Sequence, residues 1–110
     1  MNPPYAFALT IAQPLAQAVE TLRAALAAEQ MGIVSEVDMQ ATLKAKLGID
    51  SAPQRLLGVC SPKVAHALVT AEPDIAALLP CGASVLEATP GQTRVLLQDP
   101  AAPGTGARPV

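Results

Sequence analysis

Tyr5, Phe7, Leu9 and Ile11 fall two residues apart, with smaller or polar residues between them. A period of two predicts a first strand over residues 5–11 with those side chains on one face. The period then changes. Leu15, Val19, Leu22 and Leu26 recur at steps of four, three and four, which places them on one face of a helix. Gln13-Pro14 opens this helix, because proline at the first helical position gives up no hydrogen bond. The helix is expected to stop near Met31, with Gly32 as its terminal glycine. Residues 33–37 read as a second strand. Asp38 can cap a second helix through its carboxylate, with Met39, Leu43 and Leu47 as the apolar stripe and Gly48 at the end.

A third strand is expected over residues 55–59. Ser61-Pro62 starts another helix, since serine caps and proline takes the first turn. It should run to about Thr70, with Val64, Ala65 and Leu68 facing inward. Glu72-Pro73-Asp74 opens a short helix that ends in Leu78-Leu79. Residues 81–87 and 93–98 form a hairpin around Pro90-Gly91. Such a hairpin is antiparallel by necessity. The order predicts an α+β fold: a two-layer sandwich, mostly antiparallel sheet with helices on one face. At 110 residues the chain is one domain. That domain covers residues 1–100, and 101–110 is expected to be a disordered C-terminal tail without apolar periodicity.

Composition narrows the classes. Half of the residues are apolar, yet Tyr5 and Phe7 are the only aromatics. Without large rings the core rests on many small contacts, and burial against a second copy of the chain is favoured. Seven basic residues stand against nine acidic ones, a net charge of −2. This balance and the missing aromatic platforms argue against a nucleic-acid partner. No apolar run reaches the ~20 residues of a membrane span. The first residues, Met1-Asn2-Pro3-Pro4, lack the basic start of a secretory signal. A cytoplasmic location is expected, where thiols stay reduced.

The chemistry lies with Cys60, Cys81 and His66, the whole complement of cysteine and histidine. Cys60 ends a strand just before a helix cap, where unpaired N–H groups stabilise a thiolate nucleophile or metal ligand. The alternative is a small buried hydrophobe at the end of a core strand. Cys81 starts a strand, so antiparallel pairing would bring both thiols to one sheet edge. Their separation of 21 residues is neither a thioredoxin motif nor a zinc knuckle. His66, on the second turn of the helix that Cys60 precedes, can join the cysteines as a third ligand for zinc or copper, or remain an ordinary helix histidine. Glu36 and Asp38 share a strand face, but Asp38 is better explained as a cap than as half of an acid–base pair. Gly58 is isolated and belongs to no phosphate loop.

Glu36-Val37-Asp38, Ala41-Thr42-Leu43-Lys44 through Leu47-Gly48, Leu56-Leu57-Gly58-Val59-Cys60-Ser61-Pro62, Leu78-Leu79-Pro80-Cys81 and Asp99-Pro100 together resemble the domain-of-unknown-function family 302. The resemblance covers roughly residues 5 to 100. It implies a compact α+β fold that pairs as a homodimer, and it places the family's two cysteine motifs on Cys60 and Cys81. The chain departs from the family at Ser61 and Gly82, where asparagine is common, and at Ile33, where an aromatic often follows the glycine.

Three functions remain. The first is a homodimeric binding module that holds a transition metal, a sulfur species or a small ligand at Cys60, Cys81 and His66 without turning it over. The second is a thiol redox protein or enzyme in which Cys60 attacks and Cys81 resolves. The third is a structural or regulatory dimer with both thiols buried. One candidate base and no substrate-positioning groups favour binding.

Overall fold

The computed structural model describes residues 6–98. Its elements run β1 (Ala6–Ile11), α1 (Leu15–Ala28), β2 (Gly32–Asp38), α2 (Met39–Leu47), β3 (Gln54–Cys60), α3 (Pro62–Ala71), β4 (Cys81–Thr89) and β5 (Gln92–Gln98). A 3-10 helix, Pro73–Leu78, stands between α3 and β4. Tyr5 and the tail expected at 101–110 lie outside the described residues. The strands pair in the order β1-β5-β4-β3-β2, antiparallel at every step. The α+β sandwich read from the sequence is the architecture found, and the sheet is wholly antiparallel.

β1 and β2 are the two sheet edges, so α1 must carry the chain from one to the other. β1 finishes beside the hairpin turn, where Ile11 faces Thr93. β2 begins at the opposite end, where Gly32 faces Cys60. The crossing is therefore diagonal. Fourteen residues at 1.5 Å each give a helix of about 21 Å, close to the roughly 19 Å between the outer strands of a five-stranded sheet. The apolar stripe of α1 is buried as Leu15, Ala18, Val19, Leu22 and Leu26. It packs on Leu57, Val59, Ala83, Val85 and Val95. Each large aliphatic side chain so buried contributes ~1.5–3 kcal/mol. Phe7 lies on this same face, yet it is 53% exposed, because α1 packs chiefly over β2, β4 and β5.

The start of α1 is fixed from a distance. Pro14 at the cap makes no side-chain bond. Glu87 of β4 replaces it: the Leu15 N–H donates to Oε1 and the Gly91 N–H donates to Oε2, both at 2.8 Å. One carboxylate thus holds both the helix start and the hairpin turn. Gly91 sits at φ 77°, where glycine carries no Cβ penalty. The buried Thr93 hydroxyl donates to the Gln13 carbonyl at 2.8 Å. The amides of Gly91 and Leu15, against a weaker effect of burial, hold the Glu87 carboxyl below its ordinary pKa of 4.5.

The other end of α1 differs from the sequence expectation. The helix stops at Ala28, and Gln30 takes the left-handed conformation at φ 60°. Met31 N–H donates to the Leu26 carbonyl at 2.9 Å and Gln30 N–H to that of Ala27 at 3.0 Å, closing the helix in two bonds. Gly32 is unavailable as the cap because it pairs with Cys60 in the sheet.

Both later helices are capped as expected. The Ala41 N–H donates to Asp38 Oδ1 at 2.9 Å, and the Val64 N–H to Ser61 Oγ at 3.5 Å. Gly48 ends α2 at φ 65°. Their apolar stripes, however, are not buried. Val64 is 55% and Leu68 42% exposed, which corrects the inward-facing assignment. The reason is position: α3 packs on the 3-10 helix rather than on the sheet. The 3-10 helix itself leads through the cis peptide Leu79–Pro80 into β4. A Cβ on Gly58 would strike Ser35 Oγ and lie 2.6 Å from Pro80 Cγ. The missing side chain at Gly58 therefore lets the Pro80 ring rest on β3.

Two outcomes follow from this packing. Gly58→Ala should destabilise the fold by about 1–3 kcal/mol through overpacking, read as a lower denaturant midpoint at unchanged slope. Glu87→Gln should lower the melting temperature at neutral pH. Because the folded pKa is depressed, the carboxylate's contribution is present above the unfolded value and is lost as pH falls through the folded one. The gap in melting temperature between wild type and Glu87→Gln should therefore begin to narrow as pH falls below the ordinary value of 4.5 and close once the folded carboxyl is protonated. A gap constant down to acid would contradict the assignment.

Candidate functional site

β3 ends and β4 begins at one end of the sheet. Val59 faces Cys81 across the ladder, and Cys60 is the next residue along. Antiparallel pairing therefore carries both cysteines to the same end. Strand alternation separates their side chains: Cys81 shares the face of Val59, and Cys60 turns to the other. Both are free, half-buried thiols, so the close approach expected from the strand ends does not yield a bonded pair. His66 is exposed on α3, where its carbonyl accepts from the Thr70 hydroxyl at 2.7 Å. Among the described residues no three of His, Cys, Asp and Glu group closely enough to hold a metal ion. Cys60, Cys81 and His66 are thus not drawn into one centre.

What the strand ends do share is an apolar groove of about 320 Å³. Both cysteines line it, together with Met31, Val59 and the α3 residues Val64 and Leu68. A second hollow of about 230 Å³ adjoins it and shares Met31, Val59 and Cys81, with Phe7 and Leu97 on its far side. The groove is a consequence of the fold. α1 stops short at Ala28 and α3 stands off the sheet, so the cysteine end is walled by α3 without being filled by it. Its size falls within the range of small-molecule pockets, which are mostly apolar with few polar groups.

The groups read as acid–base candidates are otherwise engaged. Glu36 accepts from Arg55 Nη1 at 2.8 Å and pairs with Arg23 Nη2 at 3.6 Å. Asp38 caps α2. Reading the sequence for chemistry passed over Glu29 and Met31, which lay in the expected last turn of α1. Both belong to the groove. The signal was present in one respect, since that last turn carries no basic residue where helix chemistry favours one.

No match was found among curated proteins. The crystal structure of an uncharacterized conserved DUF302 protein from Bacillus stearothermophilus is similar in fold, with a TM-score of 0.77 and 24% identity. The similarity covers 87% of this chain and 74% of that one. A family model described as "Domain of unknown function DUF302" matches residues 7–107. With the two cysteine motifs at the ends of β3 and β4 and nearly the whole fold inside that match, the chain belongs to the DUF302 family.

Proposed function

We propose that this protein is a small-ligand binding module that holds its ligand in the groove at the Cys60–Cys81 end without turning it over. The observation that carries the reading is that Met31, Cys60 and Cys81 all border one apolar groove whose α3 wall, Val64 and Leu68, is exposed. A metal centre is less favoured because His66 does not join the cysteines. A redox role with Cys60 attacking and Cys81 resolving is also less favoured. It requires the two sulfurs to meet at bonding distance, and the register sends them to opposite faces.

The working form is a homodimer in the cytoplasm. Support for pairing comes from the sheet face turned away from α1. There Ala8, Leu96, Ser84, Leu56 and Val37 form one cross-strand row, with Leu56 and Val37 exposed. The row is apolar except for Ser84, whose hydroxyl accepts from Gln54 Nε2 at 3.2 Å, and its exposed edge at Leu56 and Val37 suits a symmetric, self-complementary contact. Support for the location comes from the cysteine usage of the sequence, two residues in 110 with no paired spacing, which suits a reducing compartment. Among the described residues no helix is long and apolar enough to cross a membrane.

Titration with octanol, followed by amide chemical shifts, tests the binding reading. Shifts should cluster at Met31, Val59, Leu68 and Cys81 and should be lost in Leu68→Glu, a change at an exposed position that leaves the fold intact. Shifts scattered over the surface, or none at all, would overturn it. Sedimentation at micromolar concentration should give a dimer mass, and a clean monomer would remove the pairing.

A further inference from the structure

Glu29 stands at the rim of the groove with unusual electrostatics. It is the C-cap residue of α1, where the last carbonyls of the helix already place about half a negative charge. A basic residue in the last turn would offset this field, and α1 has none there. Among the described residues no ion pair reaches Glu29. The carboxylate and the helix end therefore add to one another, and both border a groove whose other walls are apolar. The remaining polar groups of the groove are already in use. Ser61 Oγ caps α3, and Gln98 Oε1 accepts from the Gly82 N–H at 2.8 Å.

We propose that the ligand is an amphiphilic cation: an apolar body lying along the groove between Leu68 and Leu97, with an ammonium-type head at Glu29. This rests on the binding reading above and specifies its chemistry. The head supplies the positive charge that the end of α1 lacks. The body replaces water over Met31, Val59 and Cys81, which both hollows share. Because the two hollows share Met31, Val59 and Cys81, a linear chain can lie across both.

Three probes of equal chain length separate the charge from the apolar body: octylamine, octanol and octanoate, titrated at neutral pH with amide shifts as readout. Octylamine should bind more tightly than octanol, by up to about 5-fold, the upper end of what an exposed ion pair supplies, and octanoate should be weakest. Glu29→Gln should remove the preference for the amine, read as the ratio of octylamine to octanol affinity within that variant. Added salt should shrink the preference as well. If amine and alcohol bind equally, or if Glu29→Gln leaves the preference intact, the cationic assignment is overturned and the groove remains a neutral apolar site. If none of the three probes shifts groove residues, the binding reading fails and the assignment fails with it.

Discussion

Everything in this molecule depends on the burial of α1 across the sheet. A five-stranded antiparallel sheet with its first two strands at opposite edges has no local reason to form. Only the intervening helix, with Leu15, Val19, Leu22 and Leu26 buried on Leu57, Val85 and Val95, couples β1 to β2. The helix needs an anchor at its start, and its own sequence supplies none, because Pro14 cannot cap. Glu87 provides it from 72 residues away. The same carboxylate ties down the hairpin turn at Gly91, so the most local pairing in the chain, β4 with β5, also positions the least local one. Thr93 adds a second tie between β5 and the loop before α1.

The groove follows from the other end of that helix. α1 must end early enough for Gly32 to pair with Cys60, and it does so with a residue, Gln30, in a conformation that glycine adopts more readily. The chain saves length there, and the sheet end beyond Leu26 is left uncovered by α1. α3 could have filled the space, but Ser61-Pro62 directs it outward onto the 3-10 helix. Pro80 returns the chain to β4 by resting on Gly58. The apolar groove is thus what remains between a short helix, a displaced helix and two strand ends.

The strands, helices and caps were legible in the sequence because each rests on local chemistry. Periodicity located α1, Asp38 and Ser61 marked their helices, and Pro90-Gly91 marked the hairpin. The sequence was misleading where a local pattern had two solutions. Val64 and Leu68 have helical spacing, which says that they share a face and not what the face meets; here it meets the groove and solvent. Gly32 looked like a helix end because glycine usually serves there, and the sheet took it first. The cysteines were correctly assigned to one end of the sheet from strand order. Their separation onto opposite faces depends on register, and a shift of one residue would have reversed it. For Glu29 the sequence shows only that the last turn of α1 lacks a basic residue; that no ion pair among the described residues reaches it depends on the fold.

The central claim is that the Cys60–Cys81 end is an open, preformed groove in the folded protein and not part of its core. The most direct measurement is the rate at which a small neutral alkylating reagent modifies Cys60 and Cys81 in single-cysteine variants across low denaturant concentrations. Both residues are half-buried, so the account predicts that each reacts from the native state, at a rate nearly flat in denaturant and unrelated to global unfolding. Rates that climb steeply with denaturant at both positions, with a slope matching the unfolding transition, would show that the thiols are sealed in the core and would contradict the account.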